Sequence, residues 1–150
     1  MDELHPQEAA ASRRFLHTEL ITLAIAAPAM LAVAAWFGSW AEALRFLREA
    51  PLQVLAGYST MLLLVLLAAE PLGPGFARRP GLLALWNLLL FTAGATVGCI
   101  TNWFLLGGRD QASYLWKPLG LLLTFGLVPT LVVGHLAVLL HVAMAPRSRG

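Results

Sequence analysis

Charged side chains are scarce in this chain. Only 12% of its 150 residues are Asp, Glu, Lys or Arg, whereas 59% are hydrophobic. Soluble domains carry about 25% charged residues, and a domain of this size buries only about 70% of the surface that its unfolded chain exposes. The composition therefore excludes an ordinary soluble domain and predicts one integral membrane domain over residues 1–150.

The residue patterns of familiar catalytic and metal sites are also missing. Cys99 is the only cysteine, which excludes an internal disulfide. There is no HExxH or CxxC pattern, no serine in a glycine elbow and no phosphate-binding glycine loop. The basic residues lack the interleaved aromatics typical of nucleic-acid grooves. The sequence thus predicts no catalytic residues, no metal site and no nucleic-acid partner.

Histidines are too few for a membrane haem. A b-type haem usually needs two axial histidines at matching depth on facing helices. His135 and His141 stand six residues apart on one segment, so they point in directions about 120° apart. His17 is expected at the membrane interface. Haem b is therefore disfavoured, and no cofactor is predicted.

What the chain does contain is four long apolar stretches, at residues 20–38, 52–72, 82–106 and 119–143. Each is about as long as the ~20 residues that a helix needs to cross ~30 Å of hydrocarbon. The fold class predicted is an all-α integral membrane protein with four transmembrane helices in an antiparallel bundle. The prolines and glycines after Glu70 predict that the second helix stops there, and Pro118 is expected in the first turn of the fourth.

Two further segments flank the spans. Residues 39–50 place apolar and charged side chains on opposite sides at helical spacing, which predicts a short interfacial amphipathic helix between spans one and two, ended by Pro51. Residues 1–14 are polar and are expected to form a cytoplasmic tail that is partly helical or disordered.

The basic residues indicate an orientation. More of them flank the side that would hold both termini, where Arg13, Arg14, Arg78, Arg79, Arg147 and Arg149 stand, than the opposite side, where Arg45, Arg48, Arg109 and Lys117 stand. The positive-inside rule then places both termini in the cytoplasm, with the protein in a bacterial inner membrane. An aromatic belt is expected on the outer face, formed by Trp36, Trp40, Trp103, Tyr114 and Trp116.

Small residues predict where the helices pack. Helices in lipid associate through close backbone approach and hydrogen bonds. Gly94 and Gly98 lie four residues apart in the third span, and Gly126, Thr130 and Gly134 do so in the fourth. We expect both stripes to face other helices, either each other or further subunits.

Five polar residues at depth form the candidate site. Ionisable groups in hydrocarbon cost about 2.5 kcal/mol or more, so they are functional candidates by default. The candidates all fall in the cytoplasmic half of the predicted bundle: Glu19, Glu70, Asn87, His135 and His141. The hypothesis is that Glu70 or Glu19 pairs with His135 while Asn87 adds hydrogen bonds. The alternative is that Glu19, Glu70 and His141 are interfacial and that His135 is bonded to a neighbouring helix.

Three functions follow from these observations. The first is a non-catalytic structural or assembly subunit, whose partners are the lipid bilayer and other membrane subunits or a second copy. The second is an oligomeric transporter of a small solute, proton or ion through the polar layer. The third is a membrane enzyme acting on a lipid or quinone with His135 as base. The first is favoured because few polar groups are buried.

Overall fold

In the computed structural model, which describes residues 4–49, 51–105 and 113–145, the described residues of all four apolar stretches are α-helical except Gly38. Every element in these ranges is helical. The helices are α1 (Leu4–Phe37), α2 (Trp40–Glu49), α3 (Pro51–Arg78), α4 (Leu82–Leu105) and α5 (Ser113–Ala143). The first three residues of the predicted tail and the last residue of the predicted third span lie outside the described residues.

The four long helices form a ring. α1 packs against α3 and α5, and α4 packs against the same two helices, so α1 and α4 stand diagonally opposite. Successive long helices run antiparallel: Ser12 faces Gly73, whereas Leu23 faces Tyr58. α1 therefore begins at the end of the bundle where α5 finishes. We call this the terminal end, and the end that carries α2 the far end.

Three helical segments are long and apolar enough to cross a membrane, namely Pro51–Arg78, Leu82–Leu105 and Gly126–Ala143. Large apolar side chains cover their outer surfaces. Leu67, Leu89 and Leu139, for example, are each about two-thirds exposed. An all-helical bundle with this surface is compatible with a multi-pass membrane protein. The first predicted span lies in α1, and its crossing of the membrane stays a prediction.

The predicted end of the second helix is wrong. α3 continues through Pro71 and Pro74 as far as Arg78. Its last turns gain a partner that a local sequence signal cannot show: Gly73 lies directly on the backbone of Ser12 in α1. This packing stabilises the extra turns although each proline removes one helical hydrogen bond.

The predicted start of the last helix is also wrong, whereas the described part of the predicted tail takes the helical alternative. α5 begins at Ser113, so the five residues before Pro118 are already helical. α1 begins at Leu4, which makes the described part of the predicted tail one continuous helix with the first span. The amphipathic segment does form a helix, α2, and its position at a membrane interface stays a prediction.

Candidate functional site

A buried hydrogen bond joins the two diagonal helices near the terminal end. Asn87 of α4 donates through Nδ2 to Oε1 of Glu19 in α1 at 3.1 Å, and also to the carbonyl oxygen of Leu83 at 3.0 Å. Glu19 is 0% exposed and Asn87 6%. The second carboxyl oxygen, Oε2, is buried without a hydrogen-bond partner among the described residues. Glu19 is thus held at the centre of the ring by one amide.

A second polar contact joins α1 to α5. Thr18 Oγ1 lies 3.2 Å from His141 Nδ1 and donates its proton to the carbonyl oxygen of Arg14 at 2.8 Å. A hydroxyl has one proton, so His141 donates from Nδ1 when Thr18 bonds Arg14. Nε2 is then the acceptor nitrogen of a neutral ring. It is buried and lacks a partner among the described residues, as does Arg14 Nε.

Aromatic rings separate Glu19 from the terminal end. Phe15 lies one turn before Glu19 and stacks on Phe76 of α3 with 5.0 Å between ring centroids. Trp86 of α4 completes the cluster, 6.3 Å from Phe15 and 6.0 Å from Phe76. On the other side of Glu19, Leu23 and Leu90 are buried. The carboxyl therefore lies between two apolar layers.

The structure brings together only part of the predicted site. Glu19 meets Asn87, and His141 meets Thr18, but the expected pairing of either glutamate with His135 is not formed. Glu70 is exposed on α3. His135 is exposed on α5, where its Nδ1 lies 2.7 Å from the carbonyl oxygen of Leu131 in its own helix. Its separation from His141 by six residues turns it away from the bundle centre.

His135 lies in an open groove on the outer face of α5. The groove has a volume of about 370 Å³, and its other lining residues are apolar: Val128, Leu131, Val132, Leu136 and Leu139. Because the Leu131 carbonyl accepts a hydrogen bond, Nδ1 of His135 carries a proton, and Nε2 is the ring nitrogen left for another polar partner.

The small-residue stripes face different helices. A Cβ on Gly94 would lie 2.9 Å from the carbonyl oxygen of Gly57, and one on Gly98 would lie 2.7 Å from that of Gln53, so this stripe packs on α3. The second stripe packs on α4. There, Gly126 meets the ring of Phe91, Gly134 meets the backbone of Ala84, and Thr130 is buried. The two stripes do not meet each other.

Sequence reasoning missed several contacts. Thr18 was not singled out, because a hydroxyl is common in helices and only its position opposite His141 makes it notable. Gln53 is buried and donates to Cys99 Sγ at 3.5 Å. Tyr58 donates to the carbonyl oxygen of Leu23 at 2.7 Å.

Comparison with protein families, with curated proteins and with solved structures gives no match. The described residues contain no group of three or more His, Cys, Asp or Glu side chains arranged to hold a metal ion. The function is therefore argued from the positions of the polar side chains.

Proposed function

We propose that the chain crosses the membrane four times, with α1 as the first span. Residues 20–37 carry no charged side chain and are wholly helical. α1 also packs lengthwise against two helices that are apolar enough to span, α3 and α5. The terminal end carries Arg13, Arg14, Arg78 and Arg79, which supports a cytoplasmic location for both termini. α2 then lies at the opposite interface.

Single-cysteine labelling tests this arrangement. In a Cys99→Ser background, Gly81→Cys places a thiol in the turn between α3 and α4, where an added Cβ meets no atom within 4 Å. Ala41→Cys places one on the exposed surface of α2. A membrane-impermeant thiol reagent should label Ala41→Cys in intact cells and Gly81→Cys only after permeabilisation. Labelling of both before permeabilisation would contradict the proposed topology.

We further propose that the protein is a non-catalytic subunit that assembles with another membrane protein through α5. His135 carries this proposal. Ionisable side chains in spans almost always face protein or a water-filled cavity, yet His135 is exposed on the outer face of α5. A partner transmembrane helix that donates a hydrogen bond to Nε2 would cover the side chain and fill the apolar groove.

Photocrosslinking tests the assembly. A photoreactive amino acid at Val132 or Leu139 in the α5 groove should form a protein adduct in native membranes. The same residue at Leu67, equally exposed on α3, serves as the control and should react with lipid. His135→Leu should reduce the α5 adduct. Lipid adducts alone at all three positions would reject the subunit proposal, and an adduct of twice the chain's mass would identify a second copy as the partner.

A proton or ion transporter is the second candidate, favoured by the buried unpartnered atoms Glu19 Oε2 and His141 Nε2. Groups of this kind mark ion and proton pathways in membrane proteins. Proteoliposomes containing a pH-sensitive dye would show flux that falls in Glu19→Gln and is unchanged in Glu70→Gln, whose parent side chain is exposed. Equal flux in the parent protein and Glu19→Gln would reject a path through Glu19.

A further inference from the structure

We propose that Glu19 is a proton-binding residue, which the bundle holds as a neutral carboxylic acid with its carbonyl oxygen bonded to Asn87. Asn87 Nδ2 can only donate, so Oε1, which it contacts at 3.1 Å, is the accepting oxygen. The proton then lies on Oε2, the oxygen without a partner. The bound ligand is the proton itself, and the site is independent of whether the protein assembles or transports.

The Glu19 carboxyl has no counter-charge among the described residues. No described basic side chain forms an ion pair with Glu19, and the one hydrogen bond to its side chain comes from a neutral amide. An ionised carboxylate without a counter-charge is far costlier to bury than a hydroxyl without a partner, and such a group takes up a proton instead. The neutral acid is therefore the form that this site stabilises.

Each neighbouring helix contributes few charges around Glu19. On α1 itself, Arg14 lies toward the terminal end on the Thr18 side, and His17 is exposed. On α3, the phenol of Tyr58 is engaged with the Leu23 carbonyl, and Glu70 is exposed. α4 presents the neutral Asn87. α5 presents His141, whose Nδ1 is engaged by Thr18.

Apolar side chains lie on both sides of the Glu19 carboxyl along the bundle. Phe15 is 0% exposed and stacks on Phe76 at the terminal side of Glu19. Leu23 and Leu90 are buried on the side toward the far end. Bulk water that would solvate a carboxylate is thus excluded from both directions.

Infrared spectroscopy of the purified protein in a detergent that contains no ester or carboxyl groups tests the proposal. At neutral pH the parent protein should show the carbonyl stretch of a buried protonated carboxylic acid, which is well separated from carboxylate bands. The band should be absent in Glu19→Gln and retained in Glu70→Gln. A parent spectrum without the band, or a Glu19→Gln spectrum that keeps it, would overturn the proposal.

Asn87→Leu provides a second readout that a general loss of structure would not imitate. Removing the amide donor should leave the band in place and move it to higher frequency, because the carbonyl loses its hydrogen bond. An unshifted band would contradict the assignment of Oε1 as the accepting oxygen.

Stability gives an independent measurement. An ordinary glutamate in an unfolded chain titrates near a pKa of about 4.3, so above this pH the folded protein would bind more protons at Glu19 than the unfolded chain does. Stability should then fall as pH rises, until the folded protein also loses this proton. This slope should be smaller in Glu19→Gln and unchanged in Glu70→Gln. Parent and Glu19→Gln slopes that coincide would oppose the proposal.

Discussion

The aromatic cluster at the terminal end and the α3–α4 contact toward the far end hold their helices together by different means. At the terminal end, large side chains interlock: Phe15, Phe76 and Trp86 contact one another across three helices. Toward the far end, α3 and α4 approach through backbone, with Gly57 against Gly94 and Gly98 against the carbonyl of Gln53. Because lipid is as apolar as leucine, neither contact gains much from the hydrophobic effect, and both depend on packing and hydrogen bonds.

The tryptophans follow the same division. Trp86 is directed into the aromatic cluster at the terminal end. Trp36 is 86% exposed near the far end, and Trp40 and Trp116 are also exposed. Exposed tryptophans are typical of a membrane–water interface. The terminal end thus uses an aromatic ring for packing, whereas three of the far-end tryptophans face outward and Trp103 is half-buried.

The largest expected effect is a loss of stability from a substitution at the terminal end, compared with a matched substitution near the far end. Phe15→Ala removes a fully buried ring and its stack on Phe76 and leaves a cavity, which should destabilise the protein by about 2–3 kcal/mol. Phe104→Ala is the matched control, since Phe104 is 68% exposed near the far end. A change there should stay within about 0.5 kcal/mol. Reversible unfolding in mixed detergent micelles, followed by circular dichroism, measures both. Equal losses would remove the distinction between the ends.

The second prediction concerns the backbone contact. A Cβ on Gly57 would lie 2.7 Å from the carbonyl oxygen of Gly94, whereas one on Gly75 in the same helix meets nothing within 4 Å. Gly57→Ala should force α3 and α4 apart and cost about 1–3 kcal/mol. Gly75→Ala should be neutral or gain up to about 1 kcal/mol from helix propensity. A stabilising Gly57→Ala, in the same unfolding experiment, would show that the helices are not in close contact.

The third prediction measures the hydrogen bond across the ring. In a double-mutant cycle of Glu19→Ala and Asn87→Ala, the coupling energy should be about 0.6 kcal/mol and at most about 1.7 kcal/mol, the range for hydrogen bonds between membrane helices. Thr96→Ala replaces Asn87→Ala in the control cycle, because Thr96 bonds the carbonyl of Thr92 in its own helix. That cycle should be additive within about 0.5 kcal/mol. Additivity in both cycles would refute the Glu19–Asn87 contact.

Hydropathy alone predicted the helices where the apolar run is continuous, as in α4, because crossing lipid requires satisfied backbone groups whatever the neighbours are. Hydropathy failed where tertiary packing determines the residue at which a helix ends. Gly73 on Ser12 extends α3 beyond two prolines, a contact between residues far apart in sequence. The local stop signals, which are prolines and glycines, do not indicate that contact.

The candidate site shows the same limit. The sequence singled out Glu19, Asn87 and His141 by residue type and depth, and all three are buried. It also singled out His135, which lies on the opposite side of α5. The helix is apolar around its whole circumference, so no periodic pattern indicates its inward face. To decide which of these polar residues contact each other, the positions of the neighbouring helices had to be known.

The last prediction concerns Cys99, buried in α4 beside Gln53. Gln53 Nε2 contacts its sulfur at 3.5 Å, a weak hydrogen bond. Cys99→Ser keeps an acceptor and should stay within about 0.6 kcal/mol of the parent protein. Cys99→Ala leaves the buried amide unpaired and should cost about 1 kcal/mol or more. Adding Gln53→Met to Cys99→Ala should recover that loss, because both polar partners are then gone. If Cys99→Ser and Cys99→Ala are equally stable in micelle unfolding, the polar contact contributes nothing, and α3 and α4 are held together there by packing alone.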